Sequence, residues 1–446
     1  MHHGADGRAS STADPSRQEA LYRKIGWRLI PVLLFGYMIA YLDRVNIGYA
    51  QLGMKKSLPW GDEVYALGAG IFFVGYLIFE VPSNLLLVKI GARKTLLRIM
   101  VLWGLMAAGM MFVTTPTQFY IVRFLLGACE AGFFPGVILY FTFWYPSVRR
   151  GQVIAIFMTA TSLISIAAGP LSGATLKYME GMNGWHGWQW LFLVQGLPAT
   201  ILGVIIYVWL DDRPAGAKWL SDSEKALLNY NLEQDASTGD NKGHSFGQLL
   251  RDPKVYAFAL VYFLLMGCAY TIVFWKPTLI QSGGVADLFT VGLLSAIPNM
   301  VGVFSMVLFG RSSDKLRDRR LHFGVAALLA ACGLWMMTMT QGNLQLSMAG
   351  LSLTAVYAAT TPLFWAAATE YLPKASAAGG IALISSLGAF GPSVAPSMNA
   401  ALTKATGNGN MSMYVVAACY VLAAILMFVV VGSKRPALSG PRVAVH

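Results

Sequence analysis

The chain consists of long stretches almost free of charged residues, separated by short segments into which the charges crowd. A hydrocarbon core about 30 Å thick is crossed by roughly 20 apolar residues in a helix, which satisfies its own backbone polar groups. Windows of that length predict spans near 26–50, 63–87, 96–114, 119–143, 151–176 and 188–210. A second set follows near 254–281, 288–310, 321–340, 345–370, 376–402 and 411–432. Charged residues make up 12% of the chain, against about 25% in soluble domains. A soluble helical protein with so many uncharged runs would aggregate. The expected fold class is therefore an all-α membrane protein of twelve transmembrane helices in two six-helix halves.

A formal net charge of +12 raises the question of a nucleic-acid partner, so the position of the charge matters. Loops on the cytoplasmic side of a membrane collect Lys and Arg. With the N-terminus cytoplasmic, 26 of the 33 basic residues fall on that side, among them Arg23, Lys24, Arg93, Lys94, Arg149, Arg150 and the run Arg311 to Arg320. Four lie in outward loops: Lys55, Lys56, Lys177 and Lys404. That bias on alternating loops implies an even number of spans with both termini cytoplasmic. The basic charge thus reads as topology, and no nucleic-acid partner is expected. Residues 1–25 lack the pattern of a cleavable signal, so the first helix is expected to serve as an uncleaved insertion signal. The expected location is a bacterial inner membrane. Cys129, Cys268, Cys332 and Cys419 are far apart with no metal or disulfide spacing, and read as buried small hydrophobes.

The one long polar interruption, 211–253, divides the chain into a cytoplasmic segment 1–25, a first half 26–210, a linker, a second half 254–432 and a tail 433–446. In the linker, Ser221 and Glu224 have capping-box spacing ahead of a short amphipathic helix. A weak internal repeat relates the turn Gly310–Arg320 to the turn Asn84–Lys94, with Val88 where the second copy has Asp314. Six plus six spans, a central loop and this basic turn resemble the major facilitator superfamily. Tyr41-Leu42-Asp43-Arg44-Val45-Asn46-Ile47-Gly48, Phe79-Glu80-Val81-Pro82-Ser83-Asn84-Leu85, Arg123-Phe124-Leu125-Leu126-Gly127-Ala128-Cys129-Glu130-Ala131-Gly132 and Trp219-Leu220-Ser221-Asp222 resemble its anion:cation symporter family. The similarity runs from about residue 20 to 432. It implies alternating access and transport of a small organic carboxylate with protons.

Ionisable groups at membrane depth are costly and mark functional sites. Arg123 and Glu130 are seven residues, about two turns, apart, and so share a helix face with Gly127 between them. The residues alone leave two readings open: an anion-binding arginine beside a proton-carrying carboxylate, or a static ion pair. The resemblance implies the first, with Glu130 as the proton carrier; Asp43 is the second candidate proton-coupling group. Asp43 and Arg44 are adjacent and point about 100° apart. One arrangement pairs Asp43 with Arg123 and leaves Arg44 for substrate or for Glu130. Tyr41 and Tyr76 lie at similar depth and are candidate contacts for the anion. Glu80, near the cytoplasmic end of its span, is expected to act in a gate, paired with basic loop residues; Asp314 and Arg317 are assigned the same structural role. Lys276 lies where the family more usually has an apolar residue. It either snorkels to the outer interface, beside a helix break at Pro277, or offers a third cation to a substrate with more than one carboxylate.

Trp365 offers an aromatic wall, with hydroxyls at Thr360, Thr361 and Thr369, and Ser385 and Ser386 line the eleventh span. Related symporters are expected to carry asparagines near the last of these, where this chain has Ser385 and Ala389; that departure favours a less hydroxylated or aromatic acid over a sugar acid. Thr161 and Ser162 are weaker candidates. Ser165-Ile166-Ala167-Ala168-Gly169-Pro170 partly resembles a motif of antiporters, so exchange without net proton movement is the alternative. Zinc-type His pairs, nucleophile elbows and phosphate-binding glycine loops are missing from the sequence, as is a sizeable soluble signalling domain. An enzyme or sensor is therefore not expected. Expected partners are the acid, protons and the bilayer, with no cofactor or metal besides the coupling proton, and a monomer as the working unit.

Overall fold

The computed structural model describes residues 15–238, 250–340, 342–372 and 377–431. The expected tail 433–446, and parts of the N-terminal segment and linker (1–14 and 239–249), lie outside the described residues. Twelve helical spans among the described residues are long and apolar enough to cross a membrane. Spans 1 to 6 are Pro15–Ser57, Asp62–Ile90, Ala92–Phe112, Pro116–Thr142, Ser147–Tyr178 and Gly187–Trp209. Spans 7 to 12 are Pro253–Ser282, Leu288–Leu316, Arg319–Met339, Leu344–Tyr371, Gly379–Thr406 and Asn410–Val430. Their starts carry ordinary helix signals. Thr115 and Gln118 form a reciprocal capping box ahead of Pro116, and Asp252 caps the helix that begins at Pro253. Span 1 starts eleven residues before its expected bound at 26, because Leu21, Tyr22 and Ile25 continue its buried face. The apolar outer shell, with Phe304, Leu308 and Val429 about 70% exposed, is the surface a bilayer would cover.

The linker helix Asp222–Thr238 starts with the expected capping box: Ser221 N–H donates to Glu224 at 2.8 Å and Glu224 N–H to the Ser221 hydroxyl at 3.2 Å. It is tied to the first six spans by Lys24–Glu224 (2.8 Å), Arg150–Asp235 (3.5 Å) and Asn231–Tyr22 (3.1 Å). This helix covers one end of the bundle, the linker face.

Buried apolar side chains gather in two large clusters, one almost wholly from 21–228 and the other almost wholly from 255–430. Span 5 packs on span 8 and span 2 on span 11 to join the two sets. The first contact is backbone on backbone, since a side chain on Gly169 would meet the Gly292 carbonyl at 2.3 Å, and one on Gly292 the Gly169 carbonyl. Two ion pairs clamp the seam on the face opposite the linker, Lys177–Asp287 at 2.8 Å and Lys404–Glu63 at 3.0 Å. No ion pair joins the two sets on the linker face among the described residues.

Four spans are interrupted: span 1 at Asn46, span 4 at Ala131 and Gly132, span 10 by the 3-10 turn Ala355–Ala359, and span 11 at Ala389 and Phe390. Gly132 has φ +90°, a conformation that glycine adopts without steric cost. Irregular backbone at membrane depth is tolerated where it is covered by protein or lines a cavity. Span 7, by contrast, stays helical through Pro277, contrary to the expected break there.

The two basic turns are built differently. In the second, Asp314 and Glu370 both pair with Arg319, while the exposed Arg317 takes the left-handed turn position at φ +50°. The structural role expected of Arg317 is therefore divided: Arg319 holds the carboxylates and Arg317 ends the helix. In the first turn, Val88 is exposed. The carboxylate comes instead from the far end of the half, where Asp212 accepts from Arg93 N–H at 2.8 Å, and the Arg93 guanidinium donates to the Tyr207 carbonyl.

Candidate substrate and ion site

Beside the breaks in spans 1 and 4, four ionisable side chains come together. Arg44 and Glu130 form an ion pair, with Nε and Nη2 of Arg44 both 2.6 Å from the Glu130 Oε1. Glu130 is fully buried and its Oε2 has no hydrogen-bond partner. Arg123 is also fully buried, yet only its Nε is engaged, donating to the Gly68 carbonyl at 3.0 Å. Its Nη1 and Nη2 have no partner, and its guanidinium lies 4.9 Å from the centre of the Phe72 ring. Burying a guanidinium with two idle donors is costly, and it leaves Nη1 and Nη2 open to an acceptor.

Asp43 does not pair directly with Arg123, contrary to the arrangement drawn from sequence. Its two oxygens accept from the Trp103 indole at 2.7 Å and from the Asn46 amide at 3.3 Å, which turn it toward span 3. It remains within electrostatic reach of Arg123 and Glu130, so the four groups form one coupled cluster of formal charge zero. The Glu130 partner is Arg44 on span 1, one of the two roles the sequence left open for that arginine. Gly127 makes the approach possible: a side chain there would meet the Phe72 carbonyl at 1.9 Å, so span 4 lies directly on span 2.

The cluster borders an aromatic lining. The Arg44 guanidinium lies 5.0 Å from the centre of the Tyr76 ring, and Tyr37 of the same span stacks on Phe157 at 4.8 Å. Tyr41 is half-buried, and Tyr357 of span 10 lies 6.1 Å from the ring of the buried Tyr420. From the last six spans, Tyr262 packs edge-on against Trp365 at 5.0 Å. Tyr270 meets Phe73 of span 2 at 4.7 Å, across the seam. Tyr37, Tyr262, Tyr270 and Tyr357 were not singled out from sequence. One signal did exist, since Tyr37, Tyr41 and Arg44 follow the i, i+4, i+7 spacing of a single helix face.

Lys276 does not snorkel. It is 7% exposed, and its Nζ donates to the Asn299 Oδ1 at 2.6 Å. The other expected members are less engaged. Ser385 is half-buried and Ser386 exposed, and neither side chain hydrogen-bonds a described group. Thr161, Thr360 and Thr369 direct their hydroxyls to carbonyls of their own helices. Glu80 forms no ion pair among the described residues, contrary to its expected partnership with basic loop residues. Its backbone carbonyl accepts from the Asn84 amide instead. Cys332 is exposed, so it departs from the buried reading that suits Cys268.

Comparison with known proteins agrees with this architecture. A profile described as Major Facilitator Superfamily matches residues 33–396. A Pseudomonas putida protein named metabolite transport protein NicT, a provisional name, is 42% identical over 92% of this chain and 94% of its own length. An Agrobacterium vitis protein with the provisional name tartrate transporter is 42% identical over 93% of this chain and 92% of its own. Among solved structures, a bacterial homolog of the human lysosomal transporter Spinster, in an inward-facing and unoccupied conformation, superposes with a TM-score of 0.72. It shares 16% identity over 94% of this chain and 98% of that one, a likeness of fold. The chain thus belongs to the Major Facilitator Superfamily, as a multi-pass membrane transporter rather than an enzyme.

Proposed function

We propose that this protein carries a small organic acid across the membrane together with a proton, by alternating access. The observation that carries the reading is the buried cluster of Asp43, Arg44, Arg123 and Glu130, in which Glu130 neutralises Arg44 while two Arg123 donors are idle. A carboxylate entering alone would leave this buried cluster with a net negative charge. A proton arriving on Glu130 cancels that charge, loosens the Arg44–Glu130 pair and frees Arg44 to join Arg123 around the substrate. Both Asp43 oxygens already accept hydrogen bonds, so Asp43 serves as the fixed counter-charge and Glu130 as the proton carrier.

The aromatic lining suits the body of a small acid, and the provisional tartrate name of a 42% identical relative supports an acid as cargo. The basic residues favour a cytoplasmic linker face and cytoplasmic termini in a bacterial inner membrane. With the seam clamped on the opposite face, the structure then corresponds to a state that faces the cytoplasm, and rocking the two sets of spans about the central site would expose it to the other side.

The test is Glu130→Gln in proteoliposomes. The variant is expected to keep counterflow of labelled acid while losing accumulation driven by an inward proton gradient. Full accumulation would defeat proton coupling through Glu130 and leave anion exchange as the better account.

A further inference from the structure

We infer that Lys276 is a second anion anchor, so that the preferred cargo is an acid with two negatively charged groups. The inference rests on the organic-acid reading above and narrows its substrate class.

Lys276 is a cation buried at membrane depth whose recorded partner is the neutral Asn299, with no carboxylate in ion-pair contact among the described residues. The four-charge cluster on the first six spans is already balanced, so Lys276 adds one uncompensated positive charge to the protein interior. A buried charge of this kind is normally paired. Its surroundings lie on the seam between the two sets of spans. The Asn299 amide donates to the Ser165 carbonyl on span 5, and the Gln51 amide donates to the Phe274 carbonyl at 2.8 Å, two residues before Lys276. Gln51 is on span 1, the helix that carries Arg44. From Arg44 to Gln51 the axial rise is roughly 10 Å at 1.5 Å per residue. Two long cationic side chains, Arg44 on span 1 and Lys276 on the span 7 segment that Gln51 holds further along it, can reach toward opposite ends of one small diacid. Span 1 contributes Arg44 to one end, and span 7, held against it by Gln51, contributes Lys276 to the other.

The neutral partner suits this role. Asn299 holds the ammonium group in place without cancelling its charge, as a carboxylate at that position would. An incoming second carboxylate can replace the Asn299 oxygen at Lys276 and release the Asn299 link to span 5. The second negative charge would thereby act on the seam that must move during transport.

The experiment measures binding to purified protein by calorimetry, using diacids and their monoamides of the same skeleton: succinate with succinamate, adipate with adipamate, and terephthalate with terephthalamate. Wild type is expected to bind at least one diacid ten-fold or more tightly than its monoamide. Lys276→Met is expected to bring that ratio to about one, and Lys276→Arg to restore most of it. An unchanged ratio in Lys276→Met, or an equal weakening of diacid and monoamide with the ratio kept, overturns the inference and assigns Lys276 to seam packing. A wild type without diacid preference overturns it even if the variants do not fold. Binding of no acid at all by wild type overturns the organic-acid reading and this inference with it. Binding of monoacids alone overturns only the role of Lys276.

Discussion

The first six spans and the last six solve the same packing problem with different chemistry in their interiors. The first set buries Asp43, Arg123 and Glu130, with Arg44 nearly so, and balances them internally. The last set buries one ionisable side chain with a strong charge, Lys276, among the described residues, and otherwise offers rings: Tyr262, Tyr270, Tyr357 and Trp365. Charge inside a membrane is costly and directional, whereas an aromatic wall is inexpensive and tolerant. On the proposed mechanism this difference becomes a division of labour, in which the first set would govern the sign and energy of transport and the last set would shape the cargo.

The sharpest way to break this comparison is Arg123→Gln. Charge-assisted hydrogen bonds contribute about 1.5–3 kcal/mol each, so losing the two idle donors should weaken acid binding by about 100-fold or more, read by calorimetry. A loss of less than three-fold would move the anion site away from the first set. Trp365→Phe should have a milder effect, changing KM for the acid by about three- to ten-fold through lost packing area. The ratio of protons to substrate, read from simultaneous pH and uptake traces, should not change; a change in that ratio would place coupling in both sets.

The smallest effect is expected outside the site, at the clamp on the opposite face. The Asp287 carboxyl is held down to about 2 by the hydrogen bond from Lys177, helped by that from Thr290. A depressed carboxyl stabilises the clamped state above its ordinary value of 3.8 and loses that contribution only as pH falls toward about 2. Asp287→Asn should therefore shift the balance of inward- and outward-facing states modestly, by the same amount at pH 5.5 and pH 8. Distances between spin labels on the two sets would measure it. A shift that grew with pH across this window would mean that the clamp, and not the central cluster alone, senses protons.

Much of this division was legible in the sequence. The twelve spans, the six-plus-six grouping and the charged residues of spans 1 and 4 follow from hydropathy and from the rarity of charge at membrane depth. The partners did not follow. Asp43 faces Trp103 and Arg44 faces Glu130 because of the rotation of span 1 and the close approach of span 4 to span 2 at Gly127, and neither is set by spacing within one helix. Lys276 shows the same limit. Its position near a helix end fits snorkelling, and only the neighbouring span 8 supplies the Asn299 oxygen that holds it inside. The breaks at Gly132 and at Ala355–Ala359 were missed because their apolar composition continues that of the helices around them.

The meeting of Gly169 and Gly292 has a consequence for how such a transporter can change over time. Where two spans touch through bare backbone, any enlargement forces them apart, and no compensating trim is available because neither residue has a side chain to give up. The rings of the last six spans are under no such constraint. On the proposed mechanism, new cargo would therefore be acquired by altering these walls, while the glycine contact between spans 5 and 8 would stay as it is.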